Sequence, residues 1–543
     1  MSAVLVVGAG PVGLVMAAEL ARHGITCRIV DKLGVPSPYC RALGVTPRTL
    51  EVWENMGIVR EAIDCGIWLQ GRHMEIEGQP ARDIRVDLSD LPFSSLSLPQ
   101  YETERILTRH LSQFGIEIER GVTLTRVVQE EDAISVTLDH GEGRQEQASF
   151  RYVIGCDGAH SAVRRAAGIG FTGEAMPYDF MLGDVHIAWD LPRGMSFWAM
   201  RPVKEAAPDL FIAIPLPELN RYRVSMLAAP DLSAMGGGTD HGIQSERPAP
   251  SLAQLQEVAD RVVAGRPRLS DLRWSSLFRV SMRLADHYRK GNLFIAGDAA
   301  HIHPPTGGQG MNTGIQDAYN LAWKMALVLK QRATPDLLES YEVERRAEGA
   351  DVIARTTAAS RRIADQGAKP DRLADTQIQI SYRASTWVRD DAAGKADPTA
   401  PGAGDRAPDC QGLLRHGVGF PLRLFEVLRG TEHVLLVDAQ AEPEQKVTEL
   451  YALAIRLRQE FGEDFGAYLR LVAIGDLPGV LNPPPGVSFL ADSAQAFRKA
   501  YAPRDGSAWL VRPDGYIGWR GESALGAELV AFLHGVFGGS GLR

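Results

Sequence analysis

Residues 3–31 read AVLVVGAGPVGLVMAAELARHGITCRIVD. The apolar run Ala3 to Val7 suits a buried strand, and it breaks at a glycine series formed by Gly8, Gly10 and Gly13. An Ala/Leu-rich helix then runs to His23, Gly24 stops it, and ITCRIVD returns as a second strand. In such a strand–helix–strand unit the first glycine permits a tight turn and the second lets the backbone approach a pyrophosphate. The third lets the helix pack closely on the strand, with its N-terminus facing the phosphates. Asp31 lies 18 residues beyond Gly13, at the end of the second strand, where a carboxylate can accept the ribose hydroxyls of an adenosine. The unit predicts a dinucleotide site, and the glycine pattern alone does not choose FAD over NAD.

Outward from this unit, residues 32–171 mix helical stretches (TPRTLEVWENMGI, TERILTRHLSQFG) with alternating strands (VTLTRVVQEE, AISVTLDH, RYVIGCDG). From 172 to 280 strand-like pieces dominate, among them DFMLGDVHIAWD, FIAIPL and YRVSMLAA, which reads as an inserted sheet domain. The strand NLFIAGD, a glycine-rich loop and the helix MNTGIQDAYNLAWKMALVLKQ then restore the α/β style, so 1–171 and 281–395 form one domain split by 172–280. The Ala/Gly/Pro-dense AAGKADPTAPGAGDRAP is a linker by composition, and residues 400–543 follow it with the strand–helix order of a thioredoxin-like domain. The place where a thioredoxin carries CxxC reads DAQAEPEQK, so thiol exchange is excluded there and a structural or homodimerising role remains.

A chain of 543 residues predicts two or three domains, and 23% charged with 45% hydrophobic residues is ordinary globular usage. Lys and Arg total 58 against 67 for Asp and Glu, a net charge of −9, which argues against a nucleic-acid or anionic-membrane binder and for a small ligand. Five scattered cysteines without a CxxC pair give neither a disulfide framework nor a thiolate metal cluster. No basic leader or apolar span is apparent, so a cytoplasmic protein is expected.

Residues 153–165, VIGCDGAHSAVRR, and 293–312, LFIAGDAAHIHPPTGGQGMN, join GAGPVG as an ordered triplet that resembles the fingerprints of the FAD-dependent aromatic hydroxylases, the single-component flavoprotein monooxygenases. QYETERIL, PDLLESYEVERR and the thioredoxin-like tail are similar to the phenol and pentachlorophenol branch. The resemblance implies an NAD(P)H- and O2-dependent hydroxylation of a phenolic or polyphenolic ring through a flavin hydroperoxide. NADPH or NADH would dock transiently, since no second dinucleotide fingerprint is evident. Baeyer–Villiger or dehalogenating oxygenation, and a non-catalytic module that binds FAD or an aromatic ligand, are the alternatives.

The resemblance also assigns residues. Gly297 and Asp298, at the end of a buried strand, match the contact to the ribityl chain, and a carboxylate there suits hydroxyls. Gly307, Gly308, Gly310, Met311 and Asn312 match the loop and helix start that face the pyrimidine edge of the flavin, a positive dipole end. Asp157, Gly158 and Arg164 match a motif near flavin and nicotinamide nucleotide, Arg41 an arginine near the pyrophosphate, and one of Gln100 and Glu102 should meet the adenosine ribose. His303, Pro304 and Pro305 fall beside the reacting flavin edge, and Arg223 and Arg283 border the expected pocket; these are the candidates for substrate activation. Trp198, Met200, Phe211, Ile214 and Met226 could line an aromatic pocket or fill a core. His301 and His303 lack further ligands at metal spacing, so no metal is expected. The purified protein should be yellow and release FAD, not FMN, on denaturation, which chromatography of the supernatant checks.

Overall fold

Four parallel strands whose β-branched and apolar residues are buried on both faces form the centre of the N-terminal half. The computed structural model describes residues 2–36, 42–131, 133–203, 208–228, 232, 242–243, 248–304, 308–362, 371–415, 418–476, 486–504, 506–524 and 526–538. Val4–Val7 is paired in parallel with Tyr152–Gly155 on one side and Cys27–Asp31 on the other; Leu293–Ile295 continues the sheet beyond Tyr152–Gly155 and Ile118–Arg120 beyond Cys27–Asp31. Runs buried on both faces are the pattern that parallel sheets require. The helix Pro11–Arg22 packs on the helix Gly310–Leu329, which is buried along almost its whole length.

The second sheet runs, in spatial order, Leu269–Ala285, Phe171–Ile187, Arg221–Leu227, Asp209–Pro215, Met195–Arg201, Gly71–Ile76 and Arg82–Arg85. Its last two strands lie outside the segment 172–280 that the sequence sets apart. Their short hairpin carries no apolar run to mark it as sheet; main-chain pairing recruits it, helped by His73 stacked on Phe197 and by buried Ile76. One face packs under the helix Leu252–Val262, whose Ser251 and Gln254 form a reciprocal capping box. The other face turns toward the first sheet: Leu43 packs with Ile214, Leu216 and Trp274, and Thr357 on the helix Glu339–Arg362 reaches Met282.

The C-terminal sheet places His433–Asp438 between parallel Leu469–Gly475 and antiparallel Ala508–Val511, with Ile517–Gly521 outside the latter, the thioredoxin-like order. Val487–Ala491 adds a parallel strand where the sequence reads only a connection. Cys27, Cys65, Cys156 and Cys410 are free thiols.

Buried charge locks this sheet to the long helix. Glu344 binds Arg512 through both oxygens, at 2.7 and 2.9 Å, and Lys324 at 2.8 Å; Asp514 accepts from Asn320 and from the Trp323 indole. Arg406 forks onto Glu51, and Arg48 donates to the Asp514 carbonyl. Burial opposes ionisation of Glu344, but Arg512 and Lys324 prevail and hold its carboxyl well below the ordinary carboxylate range.

The stability contributed by Glu344 is therefore complete above its ordinary value of 4.5 and is lost as pH falls through that range toward the depressed one. Glu344→Gln, which removes the carboxylate that holds buried Lys324 and leaves Arg512 to Asp514, is expected to cost about 3–5 kcal/mol at neutral pH. Urea unfolding at pH 7 and pH 4 checks both points, the variant losing less on acidification than the parent.

Candidate active site

The parallel register brings the three fingerprints to one edge. Val7 pairs with Val30 and Gly155, and Gly155 pairs with Ile295, so the segments beginning at Gly8, Asp31, Cys156 and Ala296 all leave the sheet at its carboxyl end. Ligands of open α/β sheets bind at that edge.

The three N-terminal glycines divide the work physically. Gly8 has a positive φ of 99°, and a Cβ on it would lie 2.4 Å from the Cys156 carbonyl oxygen. A Cβ on Gly13 would lie 1.9 Å from the Gly8 carbonyl oxygen, so the helix rests on the turn itself. Gly10 is different: its φ is −76° and a Cβ there would meet nothing within 4 Å. The open space lies at an uncapped helix N-terminus, a cradle for an anion. Asp31 frames it from the next strand, accepting the Ala9 amide at 2.7 Å and the Leu33 amide at 2.8 Å. These residues fit the pyrophosphate and ribose of a dinucleotide.

Gly297 opens a turn through Ala299 that leaves Asp298 exposed at the same edge. Asp317 fixes that turn by accepting the Gly297 amide at 3.0 Å, and also takes His301 Nε2 at 2.7 Å and Arg345 at 2.8 Å. Burial works against its charge, yet His301 and Arg345 hold its pKa below the ordinary value. The long helix starts at Gly310 with no side-chain cap, so its first amides are turned toward the loop that Gly308 begins. Asn312 is not available to a flavin through its side chain: Nδ2 donates to the carbonyls of Gly44 and Gly308, and Oδ1 accepts the Thr46 amide. It staples the loop to the strand beside it. Met311 is partly buried against the main core.

Asp157 accepts the amides of Ala162 and Val163 and so starts the helix Ala162–Ala166; burial raises its pKa, and Gly158 turns with φ 77°. Arg164 donates to the carbonyls of Ala159 and Ala299, tying this motif to the Asp298 turn. Gln100 bonds the Ala42 amide and Glu104, on the site's side, whereas Glu102 pairs outward with Arg105. Arg41, Pro305 and Gly307 lie outside the described residues.

Among the activation candidates, Arg223 is committed elsewhere: it forks onto Asp184 at 2.5 and 3.1 Å, beneath the Trp274 ring. Arg283 donates to the Phe171 carbonyl at 3.3 Å, on the strand residue paired with Ile302. Pro304 is buried, and its carbonyl accepts His303 Nδ1 at 3.0 Å. Burial, with His301 and Arg355 adding to it, lowers the His303 pKa to about 4. Taking a proton from a phenol with pKa near 10 would then be uphill by roughly six units, on the order of 8 kcal/mol. His303 is thereby unsuited as a base, while Nε2, buried and without a partner among the described residues, can accept a hydrogen bond. Strand parity divides the apolar set: Phe211 and Met226 belong to the core under Leu252–Val262, while Trp198, Met200 and Ile214 alternate onto the opposite face. Among the described residues no three His, Cys, Asp or Glu gather as a metal site.

Residues 1–356 match the FAD binding domain family, and residues 400–540 match the C-terminal domain of aromatic-ring hydroxylases. The chain belongs to the FAD-dependent aromatic hydroxylases. This hydroxylase is 33% identical to pentachlorophenol 4-monooxygenase of Sphingobium chlorophenolicum, over 85% of this chain and 84% of that one. It is 30% identical to 12-dehydrotetracycline 5-monooxygenase/anhydrotetracycline 6-monooxygenase of Streptomyces rimosus, over 97% and 96%. In structure it is similar to aklavinone-11 hydroxylase in its ternary complex with FAD and aklavinone, at a TM-score of 0.77, 25% identity and 99% coverage of both chains. The hydroxylase is thus an FAD-dependent monooxygenase acting on aromatic rings, with NAD(P)H as reductant. No helix among the described residues is long and apolar enough to cross a membrane.

Gly10→Ala should fold with a melting temperature close to the parent's but retain at least tenfold less FAD, because the methyl enters the cradle and not the protein. Gly13→Ala should lose both fold stability and FAD. Thermal melting of flavin-stripped protein beside flavin titration separates the two.

Proposed function

We propose that the substrate is a phenolic or polyphenolic ring, hydroxylated ortho or para to an ionised oxygen, with O2 as co-substrate. The observation that carries this is the face of the second sheet turned toward the glycine edge. It combines Trp198, Ile214 and Trp274, which suit a flat ring, with Ser196 and Ser225 between them. Pentachlorophenol and anhydrotetracycline, for which the two relatives are named, are rings of the same chemistry.

Bound FAD supplies the acceptance of hydride from NAD(P)H and the transfer of one oxygen atom to the ring. Gly10 and the first helix would hold its pyrophosphate, Asp31 its adenosine ribose and Asp298 its ribityl hydroxyls. The amides at Gly310 and Met311, at the positive end of the long helix, would favour a negatively charged edge of the bound group. Arg164 positions the Asp298 turn through backbone carbonyls, and His303 Nε2 accepts a hydrogen bond from substrate. The sheet orients the ring and keeps water from the reacting edge, so that oxygen is not lost as hydrogen peroxide. The nicotinamide nucleotide docks transiently, and the segment 172–280 with the 71–85 hairpin acts as the substrate domain.

A phenol accepted by the enzyme should accelerate NADPH oxidation by at least about tenfold, equivalent to roughly 1.4 kcal/mol of barrier, and gain one oxygen. Its O-methyl ether should give mainly hydrogen peroxide. Oxygen-electrode rates, peroxide assay and product mass check this, and equal hydroxylation of the ether overturns it.

A further inference from the structure

Arg72 lies on the strand Gly71–Ile76, in parallel register with Met195–Arg201 so that Arg72 pairs with Ser196 and Met74 with Trp198. The register puts Arg72 on the face of Ser196 and Trp198, opposite Phe197 and Ala199, which fill the core beneath Leu252–Val262. Its guanidinium is 5.7 Å from the centre of the Trp198 ring and half-buried, and among the described residues its side chain makes no hydrogen bond or ion pair. Other arginines of this sheet do: Asp271 holds Arg221, Asp184 holds Arg223 and Asp179 holds Arg279. Asp375 attracts Arg72 from beyond ion-pair distance and Arg82 repels it. Asp375 also accepts Gln309 Nε2 at 3.0 Å, and Gln309 is the residue before the long helix, so Arg72 lies within the electrostatic reach of the flavin-facing loop.

A guanidinium does not shed its proton at any working pH. Half-buried beside an aromatic ring and left unpaired, it is a fixed positive potential that only an anion completes. We propose that Arg72 binds the ionised oxygen of the aromatic substrate and sets the enzyme's preference for phenolates, with Trp198 flanking the ring. This rests on the phenolic reading above. The phenol's proton passes to solvent on binding, and the charge-assisted hydrogen bond from Arg72 holds the resulting oxygen anion. Arg72 thereby takes the part that Arg223, neutralised by Asp184, and His303, too weak a base, do not fill.

The test uses the FAD-loaded full chain and alizarin, a polyphenolic dye whose visible colour reports loss of its phenolic proton at wavelengths beyond the flavin bands. In the wild type the bound dye should titrate at least one pH unit below the free dye. Arg72→Gln should erase that shift and weaken binding of the anion at least tenfold. Arg72→Lys, which keeps the charge, should retain part of the shift, and flavin content and melting temperature measured on the same samples should stay at wild-type values in both variants. An unshifted dye in the wild type, or an equal shift in Arg72→Gln, overturns the assignment of Arg72. Failure of the wild type to bind alizarin or turn over any phenol overturns the phenolic reading itself.

Discussion

One carboxylate, Asp317, is the constraint from which the geometry of the flavin edge follows. It sits midway along a helix buried on every side and joins the Gly297 turn and the His301 strand that follows it to the Arg345 helix. The Arg345 guanidinium, the His301 ring and a main-chain amide satisfy it, which is what makes an ionised group tolerable at that depth. The turn that presents Asp298, the short strand leading to His303 and the start of the long helix are thereby positioned by a single group that need not touch either cofactor or substrate.

The C-terminal domain acts on the same helix from the other side. Its strands have the thioredoxin-like order, and it contributes a set of buried polar contacts: Arg512 meets Glu344, which also holds Lys324, and Asp514 meets Asn320. A buried polar interface of this kind is unforgiving of sliding, because each displaced partner leaves an unpaired charge in a poor dielectric. The domain therefore fixes the helix in translation as well as covering it.

What could be read from the chain alone follows the range of the forces concerned. The glycine series, Asp31 and the later fingerprints were legible because turn geometry and strand ends are local, and the apolar strands announce their burial. Asn312, Arg164 and Arg223 lie in or near the right segments, but their work is decided by partners that no spacing reveals: Gly44 for the first, Ala299 for the second, Asp184 for the third. Trp198 and Phe211 were indistinguishable as pocket or core until the register gave each its face. Arg72 left no signal at all, since its short hairpin has no sustained apolar alternation and its place beside Trp198 is decided by a register that no spacing reveals.

The strands Phe171–Ile187 and Leu269–Ala285, each 17 residues long, form a ribbon joining the two sheets. At about 3.3 Å per residue it is roughly 55 Å long. A paired ribbon of that length is stiff against stretching and against sliding of one strand past the other, because either motion breaks a ladder of hydrogen bonds. It is compliant in torsion, most of all where the register is interrupted between Ala175 and Asp179. Such a tie sets the separation between the Trp198 face and the glycine edge and leaves their mutual angle as the softer coordinate.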